Sequence, residues 1–142
     1  MKMRSLTIAD YDALISLWRT SELPFKPRGR DSKPAIAKQM KANPSFFLGA
    51  FKDQELIGAA IISSDLRKGW INRLAVNPEY RRQGVAKALI EESEKILRKK
   101  GLRVFCCLIE GSNVSSKKLF KSCGYSEYTN ISYLTKRDSD AV

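Results

Sequence analysis

Residues 71–94, INRLAVNPEYRRQGVAKALIEESE, read as an apolar strand, a basic turn and an amphipathic helix in succession. Ile71, Leu74, Ala75 and Val76 make the strand. Asn77 and Pro78 end it, because proline supplies no N–H to a ladder and drives its predecessor out of the α region. In the turn Arg81, Arg82, Gln83, Gly84, Val85, Ala86 and Lys87, one glycine and one alanine stand among three cations where a helix begins. Small side chains leave main-chain N–H groups open there, and the unpaired donors and positive dipole end of a new helix favour an anion. Val85, Ala88, Leu89 and Ile96 recur at helical spacings, with Glu91, Glu94, Arg98 and Lys99 on the other face. This pattern predicts a helix to Lys100, stopped by Gly101. A strand, a phosphate-cradling turn and a helix suit a polyphosphate ligand. The plainer alternative makes Gly84 a helix cap and the arginines a solvated face.

Two nucleotide sites are excluded by pattern. A Rossmann turn needs G-x-G-x-x-G, a P-loop needs a glycine, lysine and hydroxyl run, and neither is present. Arg81, Gly84 and Ala86, following LAVNPEYR, closely resemble the acyl-CoA-binding motif of the GNAT superfamily of N-acetyltransferases: Arg or Gln, two residues, Gly, one residue, then Gly or Ala. A second segment also resembles the family. Asn113, Ser116, Leu119, Phe120, Lys121, Cys123, Gly124 and Tyr125 stand where it commonly has N-x-x-A-x-x-L-Y-x-K-x-G-F. Two motifs in the right order make the resemblance specific over about residues 70–126, while element order extends it over roughly residues 1–135.

Composition bounds the rest. The chain has 142 residues, enough for one domain that buries a core without disulfide staples. A single domain over residues 1–137 is expected, with 138–142 as a frayed tail. No run of about eighteen apolar residues predicts a membrane span, and the N-terminus lacks a signal-like apolar core, so a cytoplasmic protein is the default expectation. Three cysteines, Cys106 and Cys107 adjacent on a predicted buried strand and Cys123, read as reduced core thiols.

Histidine is absent, which removes Ser/His/Asp and Cys/His nucleophilic arrangements and the usual zinc sites. No metal is expected, and a general base has to be a carboxylate, a tyrosine, a lysine or a relayed water. The net charge of +11 suits an acidic partner. The cations are scattered and not interleaved with aromatics, which argues against a nucleic-acid interface.

Residues 3–8 alternate as a strand, and Asp10 is a candidate N-cap for a helix carrying Leu14, Leu17 and Trp18. Residues 23–33, LPFKPRGRDSK, form a loop by their prolines and glycine. A short helix follows Pro34 through Ile36 and Met40, stopping at Asn43 and Pro44. Residues 45–51 and 55–62 read as a hairpin about Asp53 and Gln54, and Gly69–Val76 as the next strand. A strongly apolar central strand is expected at 102–109, a short helix at 115–122 and a last strand at 125–135. This order gives an α+β fold with a mixed, mainly antiparallel central sheet flanked by helices. The resemblance implies that the fourth and fifth strands splay apart to admit acetyl-CoA, with the pantetheine arm bonded to the main chain of Leu74 and Val76 like an added strand.

The resemblance also implies the chemistry: direct transfer of acetyl from acetyl-CoA to a primary amine, on a small molecule or a protein, within a ternary complex. The cofactor set is then Leu74, Ala75, Val76, the turn Arg81, Arg82, Gln83, Gly84, Val85, Ala86 and Lys87, and Asn113, Ser116 and Phe120. Asn113 reads equally as a helix N-cap, and the two roles coexist. The family usually has tyrosine at the position of Phe120, as acid for the departing thiolate. Its absence leaves Tyr125, Tyr128, Tyr133, Cys123 or unaided departure, with Tyr125 named as the catalytic candidate. Glu110, which follows the 102–109 strand and precedes Asn113, is the candidate base, or else an exposed strand-end residue. Arg28 and Arg30 are candidates for gripping a carboxylate or phosphate on the acceptor, or else belong to a solvated basic loop. A CoA-binding module without turnover is the alternative reading, motivated by Phe120. In that family the sheet edges commonly pair into a homodimer.

Overall fold

The computed structural model describes all residues, 1–142. Its single sheet has five strands in chain order: β1 (Lys2–Ser5), β2 (Phe47–Lys52), β3 (Glu55–Ser64), β4 (Gly69–Val76) and β5 (Phe105–Cys106). The first four pair antiparallel, and β5 joins β4 in parallel. Four helices complete the fold: α1 (Tyr11–Thr20), α2 (Lys33–Ala42), α3 (Val85–Lys99) and α4 (Val114–Ser122). The α+β class and mixed sheet match the reading of the sequence.

Strand alternation separates two cores. Phe47 and Phe51 of β2 join Leu14, Trp18, Ile36 and Met40 of α1 and α2 on one face. Leu48 and Ala50 join Val85 and Leu89 of α3 on the other, where Ile62, Ile71, Ile90, Leu97 and Phe120 continue the layer. The buried stripe of α3 is Val85, Leu89, Ile90, Ser93 and Leu97, one face at helical period. Glycines let this helix lie close on the sheet. A Cβ at Gly69 would stand 2.5 Å from Leu97 Cδ1, and one at Gly58 2.9 Å from Val85 Cγ1.

The β2–β3 hairpin closes through Asp53 and Gln54 at φ 49° and 69°, between the paired Lys52 and Glu55. Positive φ at both central residues is the primed turn that matches strand twist.

Two expected strands are corrected. The one at 102–109 shrinks to Phe105–Cys106, and it lies at the sheet edge and not at its centre. Pairing with β4 stops after Gly69↔Phe105 and Trp70↔Cys106, and Leu102 is taken into the core beside Leu97. Cys106 and Cys107 are therefore half-buried, and burial pushes the Cys107 thiol up to about 11. The strand expected at 125–135 does not form, and every residue after Tyr125 is exposed. Alternating tyrosines supply a strand pattern, but pairing needs a free edge at the right place, and none receives this segment. Glu127 instead ties it to α4 through Lys117 at 3.1 Å and Lys121 at 2.8 Å.

Candidate functional site

The short β5 has a geometric consequence. From Ile71 to Val76 the edge of β4 facing β5 has no strand beside it, although its other edge stays paired to β3 through Ala59↔Ala75 and Gly58↔Val76. The splay expected between the two strands is thus present, and Leu74 and Val76 lie along it, half-buried.

At the end of that edge, Asn77 Oδ1 accepts the Glu79 N–H at 3.0 Å, turning the chain toward α3. Arg82 at φ 63° and Gly84 at φ 80° then form the turn. Gly84 caps α3 in the left-handed region with no side-chain bond, and its carbonyl accepts Ala88 N–H at 3.0 Å as the first turn closes. The N–H groups of Val85, Ala86 and Lys87 precede the first bond donated within the helix, so they face outward as free donors. Nothing lies within 4 Å of where a Gly84 Cβ would be. Arg81, Arg82, Gln83 and Lys87 are exposed, and none of the three cations has a carboxylate partner. Three free donors, a helix dipole and three unpaired cations around an open glycine fit a pyrophosphate.

Across the splay stands the second motif. Asn113 Oδ1 accepts Ser116 N–H at 3.1 Å, which makes it the N-cap of α4 and leaves its amide NH2 free. Phe120 is buried at 4 % exposure, and Tyr125 meets it edge-on at 5.0 Å and 85°. The Tyr125 hydroxyl donates to Glu94 Oε2 of α3 at 2.7 Å. Burial first, then this bond to a carboxylate, raises its pKa far above that of an ordinary tyrosine. Glu110 is exposed at the end of the 105–110 segment, its carbonyl accepting Asn113 N–H at 2.9 Å.

On the opposite side of β4, the loop between α1 and α2 is preformed. The buried Asp31 carboxylate accepts Lys26 N–H at 2.7 Å, and Lys26 carbonyl accepts from both Gly29 and Asp31 at 3.0 Å. Tyr11 hydroxyl donates to Asp31 carbonyl at 2.7 Å. Arg28 and Arg30 are exposed on this frame, and neither pairs with a carboxylate.

Two residues that the sequence reading passed over hold the loop to β4. Ser21 hydroxyl donates to Val76 carbonyl at 3.3 Å. Arg73 donates to Pro24 carbonyl at 2.7 Å, lies 3.6 Å from Asp31 Oδ2 and places its guanidinium 4.1 Å over the Trp18 ring. Arg73 sits at φ 49°, where β4 carries one more residue than β3 between the pairs Ile61↔Asn72 and Ala59↔Ala75. Such a bulge redirects a side chain out of strand alternation. A lone arginine inside the run INRLAV was the available signal.

Comparison with known proteins gives the family of this fold. The sequence profile of the acetyltransferase (GNAT) family matches residues 11–125. The chain is 28 % identical over 137 residues to an acetyltransferase of Sodalis glossinidius, covering 96 % of this chain and 95 % of that protein. Among solved structures it is similar to the PaiA N-acetyltransferase of Thermoplasma acidophilum in complex with coenzyme A, with TM-score 0.77 and 27 % identity over 86 % of this chain and 87 % of that one. Its fold is also that of the ribosomal-protein-S18-alanine N-acetyltransferase of Escherichia coli, with TM-score 0.73 and 23 % identity over 90 % and 79 % of the two chains.

Proposed function

Because this chain belongs to the acetyltransferase (GNAT) family, whose cosubstrate is acetyl-CoA, we propose that it moves the acetyl group directly to a primary amine held between the 23–33 loop and the splayed edge of β4. The observation carrying this is the open Gly84 turn, with its free α3 donors and unpaired Arg81, Arg82 and Lys87, placed at the end of an uncovered strand edge.

Val85, Ala86 and Lys87 N–H groups hold the pyrophosphate, with Arg81, Arg82 and Lys87 screening its charge. Gln83 belongs to the same turn. The main chain of Leu74, Ala75 and Val76 aligns the extended arm, and the Asn113 amide and Ser116 border it from α4. The bound thioester supplies the acetyl group, and holding amine and thioester together is the main catalytic device. Glu110 takes the ammonium proton, directly or through water, as an exposed carboxylate just before the α4 cap.

Phe120 has no proton to give. The engagement of Tyr125 with Glu94 and its edge-on contact with Phe120 support a positioning role for Tyr125 in place of an acid's. The thiolate then departs unaided, which its pKa of about 8.5 allows, while the attacking nitrogen gives up its second proton to water and the thiolate is reprotonated from solvent. Arg28 and Arg30 face the acceptor.

Melting with acetyl-CoA, CoA and ATP at low and high salt tests the cofactor half. Stabilisation by both CoA forms well beyond ATP, persisting in salt, is expected. Equal effects that fade with salt would reduce the site to a basic surface. Thiol release against a panel of amines and peptides then tests the transfer.

A further inference from the structure

The last five residues, expected to fray, are seated on the acceptor-side loop. Lys26 Nζ donates to Asp140 carbonyl at 2.6 Å. The contact at Gly29 is close enough to depend on the missing side chain: a Cβ there would stand 2.5 Å from Ala141 carbonyl oxygen and 2.7 Å from Val142 Cα. The segment is folded for this contact. Ser139 Oγ accepts Ala141 N–H at 3.2 Å, and Arg137 donates to Val142 carbonyl at 3.1 Å. The loop, for its part, keeps its shape through Asp31 and Tyr11, so it presents Gly29 and Lys26 as a fixed surface.

What this surface reads is main chain. Asp138 and Asp140 make no ion pair with Lys26, Arg28 or Arg30. The specific contacts are one ammonium to a carbonyl and one backbone-to-backbone approach, which only a peptide strand over a glycine reproduces. The carboxylates of Asp138 and Asp140 add longer-range attraction to a loop that carries Lys26, Arg28, Arg30 and Lys33.

We propose that residues 138–142 are an intramolecular ligand of this loop, and that the partner able to displace them is an acidic polypeptide segment docking its main chain at Gly29. Since the loop is tied to β4 at Arg73 and Val76, the displaced and displacing segments compete beside the transfer site. The proposal rests on the acceptor-side reading of the loop given above, and it narrows the acceptor from amines at large to peptides.

The test uses full-length protein and a fluorescein-labelled, N-acetylated peptide of the sequence of residues 137–142, read by anisotropy. Wild type is compared with a chain shortened to end at Arg137, which removes the docked main chain and leaves every loop residue in place. A tethered ligand acts at an effective concentration in the millimolar range, so the shortened chain should bind the peptide about tenfold or more tightly than wild type. Adding Gly29→Ala to the shortened chain should abolish the gain, because the new Cβ stands 2.5 Å from where the docked carbonyl oxygen sits. Equal binding by wild type and the shortened chain, no binding by either, or indifference to Gly29→Ala would each overturn the proposal. CoA-induced stabilisation is measured on all three chains. Its loss in wild type would overturn the cofactor reading instead, and leaves the peptide titrations readable.

Discussion

Gly84 offers a perturbation whose two consequences separate. In the free protein an added side chain meets nothing within 4 Å, so the only penalty of Gly84→Ala is the left-handed backbone at φ 80°. That penalty is about 1 kcal/mol, or roughly three to four degrees in Tm for a domain of this size. Gly84→Glu carries the same penalty and also sets a carboxylate where the proposal seats the ligand's phosphates. Each phosphate charge at roughly 6 Å, under an effective dielectric of roughly 40, adds about 1.4 kcal/mol of repulsion, so two weaken binding about a hundredfold. At a CoA concentration a hundred times the wild-type Kd, wild type gains about 2.7 kcal/mol, or roughly eight to ten degrees. The glutamate variant at that concentration gains only about 0.4 kcal/mol, near one degree. Scanning fluorimetry of wild type, Gly84→Ala and Gly84→Glu, with and without CoA, gives all six values. If the two variants lose equal Tm when free and the glutamate variant still gains the full CoA shift, the phosphates do not sit at this turn and the cradle argument is wrong.

Further outcomes follow from the other contacts. Arg73→Met keeps apolar contact with Trp18 but leaves the buried Asp31 carboxylate without its cation and Pro24 carbonyl without its donor. It should lower stability by about 2–4 kcal/mol, and Arg73→Lys should not restore it, because an ammonium cannot stack and fork as a guanidinium does. Urea titration measures both. Tyr125→Phe removes the bond to Glu94 at about 1 kcal/mol. The folded-state pKa of Tyr125 is raised, so its contribution is whole below the unfolded value of about 10 and is lost as pH rises beyond it. Wild type should therefore lose stability above that pH more steeply than the variant, and parallel alkaline curves would show that the buried bond contributes nothing. Glu110→Gln should reduce kcat about a hundredfold or more while sparing CoA stabilisation, and unchanged turnover would exclude Glu110 as the base.

The turn proposed to hold the cofactor was legible in conformation because that conformation is decided locally. Glycine at a left-handed helix start, alanine two positions on and cations beside them are consecutive residues, and their conformations follow from covalent sterics and helix-end electrostatics. The hairpin at Asp53–Gln54, the Asn113 cap and the apolar face of α3 were readable for the same reason: each is decided within a few residues of its own position. What these patterns cannot carry is partnership. Residues 102–109 and 125–135 have strand composition, yet one keeps two paired residues and the other none, because a ladder exists only where a second edge is available. Arg73 reaches Pro24 across 49 positions, and Asp31 beside it, only because a bulge turns it off the sheet and α1 brings Trp18 beneath it. Tyr125 finds Glu94 through the packing of α4's end on α3, which turns a candidate acid into a buried donor. The seating of residues 138–142 on Gly29 is likewise a long-range event. The sequence by itself therefore determined the class of fold and the glycine-opened turn at the start of α3, where neighbours along the chain decide conformation. Only the tertiary structure decided which strand edge stays open, which arginine anchors the 23–33 loop and what rests on it, since those depend on contacts between residues that local preference never brings together.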